Sequence, residues 1–282
     1  MTQAQRLGGT PLLAALSRRV GQAPVAVFLA GTFVWAWVLW GIWVGAGSAG
    51  GLPLTPAFLL SAIAGGFAPS LAAIVTTWLI GGAGAVRDLL GQLTRWRHNL
   101  GWYAIAMFLA PALAIAAALL QSLFVGPPAV GGTAMPVPLA LGWALFAALG
   151  EEFGWRGFLL PRLQARFDIL GAALIIGVVW GVWHLPAHWI GMQAYGDWFW
   201  AAFLIQGPFL LAGHAIIMSW LWNRTHGSLL LMVLYHLGLT ASAILMPTAG
   251  VAGPAGLLSA GIGAALVWLA AFALLVWRRQ DF

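Results

Sequence analysis

Long apolar runs, separated by short breaks rich in Gly, Pro and Arg, fill the chain from about residue 24 onward. The hydrocarbon core of a bilayer takes about 20 consecutive apolar residues per α-helix. Eight stretches qualify: Pro24 to Ala46, Ala57 to Ile80, Trp102 to Val125, Pro138 to Leu160, Ile169 to Ile190, Trp198 to Trp222, Ser228 to Met246 and Ala255 to Trp277. Only Asn223 to Gly227 separate the sixth from the seventh. The pattern predicts an all-α fold, a polytopic transmembrane helical bundle of about eight spans. Residues 1–22 would form a cytoplasmic N-terminal segment, and 23–282 a single transmembrane domain with no internal repeat and no separate soluble domain.

Arginine orients this bundle, because short cytoplasmic loops collect basic residues. Arg6, Arg18 and Arg19 precede the first span; Arg87, Arg95 and Arg97 lie between the second and third; Arg156, Arg162 and Arg166 end the fourth; Arg224 follows the sixth; Arg278 and Arg279 follow the eighth. The opposite loops, Gly47 to Thr55, Gly126 to Pro136, Gln193 to Asp197 and Pro247 to Gly253, carry only Asp197. Both termini are therefore expected in the cytoplasm, with the first span a retained signal anchor. Tryptophans near span ends (Trp35 to Trp43, Trp96, Trp102, Trp198, Trp200, Trp220, Trp222) suit the headgroup boundary.

Composition sharpens the picture. With 62% hydrophobic and 6% charged residues the chain lies far from a soluble domain, and its partner is the lipid bilayer. The net charge of +6 does not point to nucleic acid, since the Arg residues are scattered between apolar runs. The absence of Cys excludes disulfides, thiolate metal sites and a Cys nucleophile. Twelve Arg with no Lys, beside abundant Ala, Gly, Pro and Trp, reads as a GC-rich bacterial genome, which makes the inner (plasma) membrane the expected location.

Ionisable residues inside apolar runs are costly and usually face a cavity or a pathway. The only two glutamates, Glu151 and Glu152, are adjacent and interrupt the fourth span. Arg156 stands at i+4 from Glu152, the orientation that favours a helical ion pair, so these two are read as neutralising each other and locking the helix end. Glu151 lies about 100° round the helix from Glu152, and a second carboxylate there is read as functional. The fifth span contributes Trp180, His184 and His188, and the seventh His236 and Thr240. His184 and His188 share a face, yet Leu185 stands where H-E-x-x-H zinc proteases carry Glu, so that motif fails. For His214 a helix-to-helix hydrogen bond is expected, and for His98 and His226 a solvated loop. Gly150 and Gly154 bracket the Glu pair, while Gly177 and Gly181 lead into His184. Small residues at this spacing let helices approach closely, so the fourth and fifth spans are expected to meet along these stripes. Gly41 and Gly45 repeat the spacing with no chemistry beside them.

These residues sit in three blocks that resemble the CAAX protease and bacteriocin-processing family of intramembrane proteases, to which type II CAAX prenyl proteases belong. Glu151-Glu-Phe-Gly-Trp-Arg156-Gly-Phe-Leu resembles its E-E-x-x-x-R block, Trp180-Gly-Val-Trp-His184-Leu-Pro its F-x-x-x-H block, and Asn223-Arg-Thr-His-Gly-Ser228 running to His236 its third block, which ends in H-x-x-x-N. Together they cover roughly Gly142 to Thr240, within a catalytic core expected at about 138–247. The resemblance implies an endopeptidase acting on a peptide precursor or membrane protein. Its implied catalytic set is Glu151, Glu152, His184 and His236, with Arg156, Trp180 and Thr240 in support. Glu151 would be the general base, His184 its partner in activating a water, and His236 a donor on the oxyanion side. Trp180 replaces the usual Phe, and Thr240 replaces the usual Asn with a shorter donor.

Peptide hydrolysis requires a nucleophilic water, a donor for the developing oxyanion and a proton for the leaving amine; one carboxylate and two imidazoles supply all three. No cofactor is favoured, although Glu and His also suit Zn²⁺, for which Glu151, His184 and His236 would be the ligands. Counting residues puts His184 farther from the cytoplasmic face than Glu151 or His236, so convergence requires bent or unequal helices. The rival readings are non-hydrolytic: a transporter or proton relay, or a peptide-immunity binding protein.

Overall fold

The computed structural model describes residues 11–45, 55–125, 135–246 and 253–277, and the regular structure among them is entirely helical. In order these are α1 (Pro11–Gln22), α2 (Pro24–Gly45), α3 (Pro56–Gly66), α4 (Ala68–Gly91), α5 (Leu100–Val125), α6 (Val137–Glu152), a π-helical stretch (Phe153–Leu159), α7 (Leu160–Gln164), α8 (Ile169–Trp183), α9 (Leu185–Gly191), α10 (Phe199–Leu204), a second π-helical stretch (Ile205–Phe209), α11 (Leu210–Arg224), α12 (Leu229–Leu245) and α13 (Gly253–Trp277). The expected loops at 47–54, 126–134 and 247–252, with Arg6, Arg278 and Arg279, lie outside the described residues.

The chain is an integral membrane protein. Five of the described helices are long and apolar enough to cross a bilayer: Pro24–Val44, Ala68–Thr94, Leu100–Phe124, Tyr195–Arg224 and Gly253–Trp277. A bent pair, Ile169–Trp183 with Leu185–Gly191, makes a sixth. Length and composition thus support five to six spans where the hydropathy pattern suggests eight. The expected second span is divided at Phe67, so that the crossing helix begins at Ala68 and runs to Gly91. The fifth is broken at His184 with a 48° bend. A proline follows two residues after each break, Pro69 and Pro186, and its missing N–H removes one rung of the helical ladder. The fourth apolar run is a 16-residue helix that continues through the first π-helical stretch into α7. Pro161 cannot donate to the carbonyl one turn earlier, which accounts for the widened coil ahead of it. The seventh is α12, short at 17 residues.

α12 lies at the centre, packed along α6 on one side and α5 on the other, while α11 packs along α8 and α13, and α2 along α4. Leu211 to Trp222 of α11 are all buried, as expected for a helix that is apolar all round and enclosed by others. Arg95 Nη1 donates to His226 O at 2.7 Å and Ser228 Oγ donates to Arg95 O at 2.7 Å, tying the segment after α4 to the turn before α12. These segments, the α4 terminus at Leu89 and the π-helical stretch around Gly157 therefore share one end of the bundle.

Two packing expectations are corrected. The glycine stripes do not meet each other. A Cβ on Gly150 or Gly154 would strike Gly66 and Pro69 at the α3–α4 break, and one on Gly177 or Gly181 would strike Ala212 of α11 and Pro208. Each stripe seats its helix on a different neighbour. Nor do the tryptophans of α2 form a simple boundary belt. Trp35, Trp40 and Trp43 donate to Ala64 O, Ala62 O and Ser61 Oγ of α3, and Trp37 donates to Trp183 O at 3.0 Å, so their indoles hold helices together. Trp220 and Trp222 are buried, whereas Trp96, Trp198 and Trp200 are exposed and keep the boundary reading.

Gly181→Ala is expected to destabilise the protein by about 1–3 kcal/mol, because the α8 backbone would have to move off Pro208. Thermal unfolding in detergent, with Gly41→Ala as a control where a Cβ meets nothing within 4 Å, checks this.

Candidate active site

The site is assembled around Glu151 and Glu152 at the end of α6, both buried. Glu152 Oε1 accepts from Arg156 Nη1 at 2.8 Å, the i+4 pair anticipated from the spacing. The same oxygen also faces His236 Nδ1 at 2.7 Å. A carboxylate held by a guanidinium is an acceptor, so Nδ1 of His236 is the donor and its Nε2 is turned the other way. Nε2 lies 3.9 Å from Glu151 Oε1. Glu152 therefore does more than lock the helix end: it orients the imidazole on α12.

Glu151 is held by two indoles. Trp155 Nε1 donates to Oε2 at 3.2 Å and Trp180 Nε1 donates to the same oxygen at 2.6 Å. Trp155 is one turn along from Glu151, brought over it by the π-helical stretch, whereas Trp180 reaches across from α8. Trp180 has two further contacts. Its ring face carries the Arg156 guanidinium at 4.5 Å from the centroid, and its ring meets His236 edge-on at 5.2 Å. Trp in place of the family's Phe is thus no conservative change, since it supplies an N–H donor to Glu151.

His184 sits at the break between α8 and α9. Its Nδ1 lies 2.9 Å from Trp180 O. A carbonyl can only accept, so Nδ1 carries the proton and Nε2 keeps a lone pair. The Trp183 ring flanks it at 4.7 Å, nearer than Trp180 at 6.1 Å. The bend at His184 is the irregularity that the residue count demanded. Glu151, His184, His236 and Thr240 line one cavity of about 450 Å³, whose remaining walls are mostly aromatic and aliphatic. Glu152 and Arg156 are wholly buried beneath it.

Of the other histidines, His214 Nδ1 lies 2.9 Å from Tyr235 Oη, a bond between α11 and α12 of the kind expected. The His188 ring lies beside that of His184, tilted by 32° with centroids 5.6 Å apart. His98 and His226 are in the loops at the arginine end. Tyr235 and the indole N–H groups of Trp155 and Trp180 had not been anticipated as site groups. Trp155 at i+4 from Glu151 was legible from helical spacing, but the Trp180 and Tyr235 contacts depend on how separate helices meet.

Among the described residues no group of three His, Cys, Asp or Glu side chains is spaced to hold an ion. The atoms that would ligate, Glu151 Oε1, His184 Nε2 and His236 Nε2, are turned toward one cavity, but as placed they are not grouped closely enough to hold an ion.

A helical membrane protein with a carboxylate–imidazole cluster buried under an apolar cavity is the class that fold and site define. Residues 133–242 match the family described as Type II CAAX prenyl endopeptidase Rce1-like. Over that stretch, less than half of its length, the chain is similar to this family, the one its three blocks resemble. It is also similar to CAAX prenyl protease 2 of Methanococcus maripaludis, 28% identical over 96 residues, 33% of this chain and 35% of the relative. The similarity thus spans about a third of that relative's length.

Arg156→Met is expected to cost about 3–5 kcal/mol, because it leaves the Glu152 carboxylate buried without its cation. The double variant Arg156→Met with Glu152→Gln should recover part of that loss in detergent unfolding.

Proposed function

We propose that this protein is an intramembrane endopeptidase that hydrolyses peptide bonds of a membrane protein or peptide precursor, with Glu151 as general base. The observation that carries this reading is the shared cavity. Glu151 Oε1, His236 Nε2 and His184 border one space, and the first two are 3.9 Å apart. With Oε2 occupied by the two indoles, Oε1 takes the proton of a water as that water's oxygen attacks the scissile carbonyl carbon. His184, its Nε2 lone pair set by the bond to Trp180 O, accepts from the same water and aligns it. The carbonyl electrons move onto oxygen, where an Nε2–H donor of His236 stabilises them. Collapse of the tetrahedral species breaks the C–N bond, and the proton held by Glu151 passes to the leaving amine. Trp180, Trp155, Glu152 and Arg156 are positioning residues, and Thr240 adds a hydroxyl one turn beyond His236.

The architecture that goes with this reading has about eight membrane crossings and both termini in the cytoplasm. The π-helical run from α6 to α7 and the short helix α12 supply crossings through their place inside the bundle. Residues 1–22 precede the single transmembrane domain over 23–282, and the catalytic core occupies 138–247. A bacterial plasma membrane is the setting, which favours secreted-peptide precursors or membrane proteins over a prenylated substrate.

Glu151→Ala and His184→Ala should each abolish cleavage of a membrane-protein substrate by the purified protein while its detergent melting temperature is kept. Full activity in Glu151→Ala would remove the proposed base and return the field to the non-hydrolytic readings. Activity should also survive exhaustive chelation; loss that Zn²⁺ restores would instead point to a metal site.

Trp180→Phe keeps the ring and deletes the donor to Glu151. It is expected to lower kcat roughly tenfold or more with little change in KM, as for the loss of a hydrogen bond to a charged group. A change confined to KM would assign Trp180 to substrate contact instead.

A further inference from the structure

We infer that the end of the bundle where the segment after α4 meets the turn before α12 carries a binding site for the phosphate of an anionic lipid headgroup. An open cleft of about 500 Å³ lies there, lined by Thr94 to His98 on one side and by Thr225 and His226 on the other. It shares no lining residue with the cavity over Glu151. Two guanidinium groups and two imidazoles border this one space, and no carboxylate does. Among the described residues neither Arg95 nor Arg97 forms an ion pair with a carboxylate. The two walls are tied together through the backbone. Arg95 Nη1 donates to His226 O at 2.7 Å and to Gly227 O at 3.3 Å, while Arg95 O accepts from Ser228 Oγ at 2.7 Å. His98 Nε2 lies 3.1 Å from the same Arg95 oxygen, and since a carbonyl only accepts, Nε2 carries a proton. A Cβ on Gly227 would lie 2.7 Å from Arg95 Nη1, so the turn closes directly against the guanidinium. His226 is exposed on the cleft wall with a φ of 49°, the one positive value at a non-glycine position among the described residues. Few side chains adopt that backbone.

The ligand follows from these donors. Thr94 Oγ1 donates to Gly91 O and Thr225 Oγ1 to Leu221 O, so both hydroxyl protons are committed and recognition falls to the arginines and imidazoles. Charge-assisted bonds from such groups match the oxygens of a phosphate. The ammonium of a zwitterionic headgroup would find no carboxylate in the cleft, and the Trp96 ring already carries the Arg97 guanidinium at 5.5 Å from its centroid. A headgroup of net negative charge is therefore selected. A lipid, rather than free phosphate, fits the surroundings, because Trp96 of the cleft and Leu100 just beyond it are 59% and 84% exposed. An indole and an aliphatic side chain beside basic groups suit the headgroup boundary, with acyl chains alongside. The recognition is the same whichever compartment this end faces.

The full chain, purified in a nonionic detergent, is titrated with phosphatidylglycerol or phosphatidylcholine, and retained lipid is counted by native mass spectrometry. Phosphatidylglycerol should be held several-fold more tightly than phosphatidylcholine. Arg97→Gln should weaken it about fivefold, the effect of one basic residue near an anionic headgroup. His226→Asn removes the imidazole, keeps a residue that tolerates the left-handed backbone, and should also weaken binding; it carries the test alone if Arg97→Gln lowers the melting temperature. Arg19→Gln, an exposed arginine on α1 outside the cleft, is expected to leave binding unchanged. Equal retention of the two lipids, unaltered binding in both cleft variants, or an equal loss in Arg19→Gln would overturn the site. Inorganic phosphate, added in excess at matched ionic strength, should not displace the lipid; displacement would overturn the lipid source and make free phosphate the ligand. None of these readouts depends on hydrolysis.

Discussion

A single carboxylate oxygen, Glu152 Oε1, accepts from Arg156 Nη1 at 2.8 Å and from His236 Nδ1 at 2.7 Å, deep in an apolar bundle. Moving a charge into such surroundings costs several kcal/mol per ion even after relaxation, and the pair attraction offsets this only when the geometry is good. The arrangement meets that condition locally. Glu152 and Arg156 are one helical turn apart, and the Trp180 ring lies over the guanidinium, a contact worth about 2 kcal/mol when desolvated. Among the described residues Arg156 Nε and Nη2 have no hydrogen-bond partner, so the guanidinium is held by this one carboxylate and one ring. The pair is thus a fixed acceptor inside the membrane. That acceptor decides which nitrogen of His236 bears a proton.

The rest of the site follows outward from that decision. With Nδ1 committed to Glu152, the imidazole presents Nε2 toward Glu151 Oε1. With Oε2 committed to two indoles, Glu151 presents Oε1 toward the cavity. Each atom turned to the cavity is defined because its counterpart within the same group is already engaged. Preorganisation of this kind requires rigid supports. The supports are well-packed parts of the molecule: the fully buried π-helical stretch that carries Trp155 and Arg156, and α12 flanked by α5 and α6. Tyr235 secures α12 from its other side through His214 of α11.

Much of this was legible in the sequence, and what was not has identifiable causes. The spans beginning at Pro24, Trp102 and Ala255 agree with the helices to within a few residues, because a long apolar run has one stable arrangement in a bilayer. The Glu152–Arg156 pair was readable because i+4 spacing is local. The breaks at Phe67 and His184 share a mark that hydropathy ignores, a proline two residues on, and averaging apolar character across it joined helices that the backbone separates. The glycine stripes showed that two close approaches exist without naming the partners, since small-residue spacing is the same whichever helix arrives. The indole donors were hidden for a related reason. Tryptophan in an apolar run reads as bulk or as a boundary residue, and only the meeting of α6 with α8 turns the Trp180 N–H onto Glu151.

The two departures from the family's wording fall on opposite sides of the reacting centre. Trp180, in place of Phe, adds a donor to the carboxylate side; Thr240, in place of Asn, shortens the donor that follows His236. On the hydrolytic reading these changes move hydrogen-bonding capacity from the oxyanion toward the base. Glu151 gains a second indole that anchors its idle oxygen, so its working oxygen is better defined. On that same reading the oxyanion in turn relies more heavily on His236 Nε2–H. Glu152 fixes that ring through Nδ1, and Arg156 holds Glu152 in place for it. The substitution at 240 therefore makes the buried Glu152–Arg156 pair more important to the chemistry, and ties the protein's most expensive structural feature to the step in which charge develops on the substrate.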